Sequence, residues 1–240
     1  MKKWIALLLA ALLTLSLAAC GSETEDSSEA ESTPSSSQTS ETEEPVSEEP
    51  IEESSGTNML VAYFSYAENA ALPDGVDASA TASIQTWNGE TTGNTGVVAA
   101  MIAEATGADL FSIQTVEQYP DSYDATIDQG QEERNADARP ELATHVENLD
   151  NYDVILLGFP NWWGDMPMAV YSFLDEVDLS GKTIVPFVTS GGSGFSNTIS
   201  TIEDMESGAT FQEGLSISGS SAVNAQDQVT EWLSGLGYIE

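Results

Sequence analysis

Apolar and polar positions divide the chain into three textures. Trp4 to Leu17 is an almost unbroken apolar run, too short to span a bilayer comfortably. Gly21 to Thr57 shows no hydrophobic periodicity. From Asn58 onward, short apolar runs alternate with stretches spaced as helices. Continuous apolar runs with β-formers predict buried strands over 58–65, 152–159 and 183–189, and an alternating run predicts another over 109–114. Pro186 costs the third apolar strand one ladder bond. Helices are predicted over 94–106, stopped by Gly107, near 126–135, over 168–177 with Pro167 at the first helical position, near 196–206, and over 224–236. A short strand over 214–218 completes the set. Strands alternating with helices predict an α/β fold: a doubly wound, open, parallel sheet of five strands with right-handed crossovers. Ligands of such sheets bind beyond the carboxyl ends of the strands, where strand order reverses.

Charge narrows the function. The 240 residues carry 40 acids against five Lys and Arg, a formal net charge of −35. Two of those basics, Lys2 and Lys3, precede the apolar run, leaving Arg134, Arg139 and Lys182. Such a chain repels phosphate backbones, which excludes nucleic acid as a partner. One Cys and one His exclude an intramolecular disulfide, a thiolate zinc site and a multi-histidine metal site. A Ser/His/Asp hydrolase would have to rest on His145, which reads instead as a solvent-side residue.

The first segment reads as an export signal. Lys2-Lys3, the apolar run and then Leu17-Ala18-Ala19-Cys20 resemble a bacterial lipobox, with Cys20 lipidated as the mature N-terminus. That predicts a protein anchored to the membrane through Cys20 on the outer face of the bacterial cytoplasmic membrane. The stretch 21–57 holds 12 acids among Ser, Thr, Glu and Pro. It lacks the apolar surface to offset ordering entropy and reads as a disordered acidic tether. The domain organisation is therefore a signal over 1–20, a linker over 21–57 and one folded domain over 58–240, long enough for a sizeable core.

Three loops leave the most apolar strands. Thr92-Gly93-Asn94-Thr95 opens a helix, where backbone N–H groups and hydroxyls can hold a phosphate without a cation. Pro160-Asn161-Trp162-Trp163-Gly164 offers two adjacent Trp rings, a flat apolar wall for a planar ring. Thr189-Ser190-Gly191-Gly192-Ser193-Gly194 is a small-residue loop with backbone donors and acceptors. Together they predict a pocket for a phosphorylated planar heterocycle. Trp162 and Trp163 also suit core packing. Lys182 reads as a turn cap, Asp165 as a charge at a helix N-terminus or a group at the ligand's edge, and Tyr119 and Tyr123 as packing.

At these residues the chain resembles the flavodoxin-like family. The motifs are Val61-Ala62-Tyr63-Phe64-Ser65, Gly93-Asn94-Thr95, Tyr152-Asp153-Val154-Ile155, Pro160-Asn161-Trp162-Trp163-Gly164 and Gly181-Lys182-Thr183-Ile184-Val185-Pro186-Phe187. The resemblance covers about 58–240 and implies strand order 2-1-3-4-5 and noncovalent FMN. In flavodoxin itself FMN lies at the strand-order reversal, and the resemblance carries that placement over. It implies that Ser65, Thr92, Gly93, Asn94 and Thr95 surround the phosphate, and that Pro160 to Gly164 and Thr189, Ser190, Gly191 and Gly192 flank the isoalloxazine. The chain departs from the family in one respect: 26 residues, 66–91, separate Ser65 from Thr92. This insertion, which contains Trp87, reads either as a surface excursion or as a lid or partner-docking element.

With FMN, the expected function is electron transfer. The acidic surroundings disfavour added negative charge and so predict a low potential. Gly164 and Gly191-Gly192 leave a peptide free to turn toward the ring. An electron carrier needs only FMN and a docking surface, and an acidic surface fits a redox partner with a basic patch. An FMN-dependent NAD(P)H quinone or nitro-compound reductase would also need a site for a dinucleotide, for which three basic residues are few. A flavin-free binding lipoprotein is the third alternative.

Overall fold

In the computed structural model of the chain, the described residues are 57–74, 76 and 83–240. The signal, Cys20 and all but the last residue of the linker 21–57 lie outside them, as do positions 75 and 77–82 of the insertion.

The elements in order are β1 (Met59–Tyr63), β2 (Ile84–Trp87), β3 (Glu90–Gly93), α1 (Asn94–Thr106), β4 (Asp109–Ser112), α2 (Tyr123–Asn135), β5 (Val154–Pro160), α3 (Met168–Glu176), β6 (Thr183–Ser190), α4 (Thr198–Met205), β7 (Thr210–Phe211), β8 (Leu215–Ser218) and α5 (Gln226–Gly235). A parallel sheet runs β4-β1-β5-β6, with β7 and β8 both paired to β6. The apolar runs of β1, β5 and β6 are continuous because both faces are covered. Leu60, Ala62, Ile155, Leu157, Ile184 and Val188 join α3 and α4 in one core cluster. Val61, Leu156, Val185 and Phe187 join α1 and α5 in the other. This is the doubly wound α/β architecture that the alternation of elements predicts.

The sheet has six strands where five are expected, because the outermost position is shared by two short pieces. Ile184 accepts a hydrogen bond from Gln212 N–H, so the backbone polar groups of the even-numbered residues of β6 point toward the outer strand position. Pro186 faces the same way and has no N–H to give. β7 ends its pairing at Ile184 and β8 begins at Phe187, leaving Pro186 in the break. Other boundaries shift slightly. β4 stops at Ser112 and, as an edge strand, leaves Leu110 half-exposed. Pro167 caps α3 from outside, with extended backbone, instead of occupying the first helical position.

The insertion ends in an antiparallel hairpin, β2–β3. Asn88 and Gly89 both have positive φ, 51° and 87°, the conformation of the two-residue turn whose twist matches hairpin strands. The hairpin delivers Gly93 directly to the start of α1, so Thr92 and Gly93 are strand residues and not an open loop.

Candidate functional site

The carboxyl ends of β5 and β6, the hairpin and the face of α2 enclose a cavity of about 730 Å³. That lies within the range of small-molecule sites. Of the residues singled out in the sequence, Asn94, Pro160, Asn161, Trp162, Trp163, Thr189, Ser190 and Gly191 line it. Ser65, Thr92, Gly93, Thr95, Gly164 and Gly192 are not in its wall. They stand behind it or at its rim and shape the lining residues.

The second loop is a tight turn. Trp162 N–H donates to Asp165 O at 2.8 Å and Asp165 N–H to Trp162 O at 3.0 Å. Trp163 and Gly164 both have positive φ, 58° and 76°. Left-handed backbone is ordinary for glycine and strained for a bulky ring. Trp163 is held there by its indole N–H, which donates to Ile127 O at 3.0 Å, and it stays 47% exposed. Trp162 turns inward and does two jobs. It lines the cavity and meets Phe64 and Tyr119 edge-on at 5.5 and 5.3 Å, a geometry favoured by ring quadrupoles. Burial, and then the Glu133 carboxylate that accepts from its hydroxyl, hold the Tyr119 phenol far above its ordinary pKa.

The third loop is less open than its composition suggests. Ser190 Oγ accepts from Gly192 N–H at 3.2 Å and from Gly194 N–H at 2.9 Å, so those two donors are occupied. Asn161 ties the second loop to the third. Its amide donates to Gly194 O at 2.8 Å while its Oδ1 accepts from Gly164 N–H at 3.0 Å.

At the head of α1 the polar side chains already have partners. Asn94 Oδ1 accepts from the Gln85 amide at 2.7 Å, and Thr95 Oγ1 lies 2.8 Å from Thr189 Oγ1. Thr92 Oγ1 donates to Glu68 Oε1 at 2.6 Å. Burial raises the pKa of Glu68 above the usual carboxylate range. The helix has no side-chain cap, and the buried Ser65 Oγ has no hydrogen-bond partner. A Cβ at Gly93 would overlap that oxygen, so the cradle depends on glycine there. An uncapped helix N-terminus beside an unsatisfied hydroxyl fits an anion, and aromatic walls beyond it fit a flat ring. A phosphorylated planar heterocycle therefore suits the donor set, with Glu68 as an adverse charge beside it among the described residues.

The three basic residues of the folded part are all engaged. Arg134 pairs with Asp165 at 3.2 Å, Arg139 with Asp137 and Asp175, and Lys182 donates to the carbonyls of Leu149 and Tyr152. Asp165 also accepts from Tyr171, whose phenol is pushed up to about 12, by burial and then by that carboxylate. His145 is exposed against Glu176 and away from the cavity wall.

Sequence reasoning missed part of the wall. Ser83, Ile84 and Gln85 come from the insertion, Tyr66 from its start, and Tyr123, Ile127 and Gly130 from α2. Two signals were available. Asn88-Gly89 is the strongest short hairpin pair. Positions 123, 127 and 130 share one helix face, and a Cβ at Gly130 would press on Trp162 at 3.2 Å.

The flavodoxin family model matches residues 88–236. No curated protein matches the chain. Among solved structures, a protein of Bacteroides eggerthii DSM 20697 assigned as a flavoprotein is 25% identical, with 76% of this chain and 99% of that one covered and a TM-score of 0.58. One of Bacteroides uniformis ATCC 8492, likewise assigned, is 27% identical over 75% and 99%, with a TM-score of 0.56. The flavoprotein of Lactobacillus acidophilus NCFM, solved in complex with FMN, is 20% identical over 72% and 99%, with a TM-score of 0.49.

Proposed function

Because the chain belongs to the flavodoxin family, its model spanning residues 88–236, we propose that the protein binds FMN noncovalently in the cavity beyond β5 and β6 and transfers electrons as a lipid-anchored protein outside the cytoplasmic membrane. The observation that carries this reading is the cavity itself. It combines aromatic walls from Tyr66, Tyr123 and Trp162 with Asn94 at the start of α1, a helix without a side-chain cap.

Bound FMN would supply one- and two-electron chemistry. The residues of the chain bind and orient it. Trp162, backed by Phe64 and Tyr119, would offer a wall, and Trp163 at the rim would shield the ring's edge from water. Backbone groups of Ser190 and Gly191, which line the cavity, would bond polar atoms of the ring. The Asn94 N–H at the start of α1 already donates to Ser83 O at 3.1 Å, so the N–H groups of Thr95 and Gly96, with the buried Ser65 hydroxyl behind the wall, would hold the phosphate without a cation.

A carrier is favoured over an NAD(P)H-dependent reductase because Arg134, Arg139 and Lys182 are all committed to partners within the fold. None is left to receive a dinucleotide's phosphates. The acidic surface, 28 acids against three basic residues after position 57, supports a redox partner with a basic patch. Cys20 as a lipidated mature N-terminus supports the outer face of the cytoplasmic membrane as the location, with 21–57 as tether.

The test is anaerobic purification of the full chain, release of any flavin by denaturation and its identification, then exposure to NADH and NADPH. A yellow protein that releases FMN, and that neither nucleotide reduces, is the expected result. Rapid reduction by either nucleotide would establish the reductase reading instead. A colourless protein that takes up no FMN would leave the flavin-free binding reading.

A further inference from the structure

We propose that Glu68 couples FMN binding to proton uptake: the site at the head of α1 accepts the phosphate as this carboxyl takes a proton. The proposal rests on the FMN reading above and concerns a residue of the insertion.

Glu68 lies against the first turn of α1. Its Oε1 accepts from Thr92 at 2.6 Å and from Tyr63 at 3.3 Å, and a Cβ at Gly96 would stand 2.7 Å from it. Its Oε2 is buried with no partner. Beside it, Ser65 is 1% exposed, and its hydroxyl, without a well-aligned hydrogen bond, faces Glu68 and partly opposes the rise that burial gives its pKa. The helix has no acid in its first turn and no side-chain cap. Glu68 thus brings, through tertiary folding, a carboxyl to a first turn whose own sequence carries no acid.

A phosphate dianion and an ionised carboxylate at one helix head repel each other strongly in a partly buried site. No cation relieves this, since all three basic residues of the folded part bond elsewhere. Protonation removes the repulsion and turns the unpartnered Oε2 into a donor. Burial already favours the protonated form.

Among the described residues, few titratable groups on the packed elements bear on Glu68. On β1 the Tyr63 phenol donates to it and is held well above its own ordinary pKa by burial and by Glu68. On α1 Glu104 bonds Asn88. On β4 Asp109 accepts from Tyr152. Glu90 of β3 is exposed at the hairpin turn. None of these last three bonds Glu68.

The experiment is calorimetric titration of the flavin-free full chain with FMN and with riboflavin at pH 7.5, in buffers of different ionisation enthalpy. A phosphate monoester has its second pKa at about 6, so free FMN enters as a dianion at pH 7.5; a phosphorus-31 shift of bound FMN that stays at the dianion's value places the proton on the carboxyl, and a monoanion's shift would overturn the proposal. Wild type should take up a substantial fraction of a proton with FMN and none with riboflavin. Glu68→Gln should abolish the uptake and bind FMN roughly tenfold tighter, with riboflavin affinity unchanged. FMN binding without proton uptake, or with the same uptake in Glu68→Gln, overturns the proposal and leaves the FMN reading standing. Binding of neither flavin removes both. Should Glu68→Gln fail to fold, the wild-type comparison of FMN with riboflavin decides alone.

Discussion

The hydroxyls of Thr95 and Thr189 lie 2.8 Å apart in the interior, joining the first turn of α1 to the carboxyl end of β6 across 94 residues of chain. Each is the partner of a group that would otherwise be buried unpaired. Thr95→Val should therefore cost about 1–3 kcal/mol of stability, while Thr95→Val with Thr189→Val should cost less than the sum of the singles. Urea unfolding of the three variants measures this. Strictly additive costs would mean that the pair contributes nothing as a pair.

Gly158 is required for space. A Cβ there would overlap the ring of Phe187, its register partner on β6 and a fully buried residue. Gly158→Ala should destabilise by about 1–3 kcal/mol or more, by overpacking. Gly158→Ala combined with Phe187→Leu should recover part of the loss. Thermal unfolding that places Gly158→Ala at the wild-type midpoint would show that the ring relaxes freely.

Glu206, at the end of α4, is buried, and that burial, then Asp178 and Asp175, raise its pKa in the fold. A carboxyl whose folded pKa exceeds its unfolded value contributes stability that is complete below the unfolded pKa. That contribution is lost as pH rises through the folded pKa. Glu206→Gln should thus raise the melting temperature at pH 7–8 and change it little near pH 4. A variant whose advantage is the same at both ends would contradict this linkage.

The partner proposal predicts a salt dependence. Exposed charges are screened within about 8–10 Å at physiological ionic strength, so electron exchange with a basic partner should slow as salt rises. Stopped-flow mixing with a candidate donor from low to high ionic strength reads this directly. A flat rate would detach the acidity from docking and weaken the case for a carrier.

Processing at Cys20 predicts that Cys20→Ala abolishes lipidation and shifts the protein out of its wild-type membrane fraction, while the domain after position 57 still folds. Fractionation with acyl labelling checks both. An unchanged membrane fraction without label would place the anchor elsewhere.

What the sequence by itself determined is what short-range pattern encodes. Continuous apolar runs in β1, β5 and β6 announced strands buried on both faces, and helical spacing between them announced the crossovers, so the α/β class followed. The loops at 160–164 and 189–191 could be placed at the ligand cavity because they leave the ends of those strands. Tertiary structure decided the rest, because the remaining contacts join residues with no local relation. The split of the outer strand at Pro186 depends on which way β6 faces its neighbours. The inward turn of Trp162 and the outward turn of Trp163 depend on a backbone conformation secured by a carbonyl on α2. The placing of Glu68 against α1 depends on its hydrogen bond from Thr92, 24 residues away on β3. Periodicity reports which face of an element is buried. It does not report which distant carboxylate, ring or hydroxyl will meet that face.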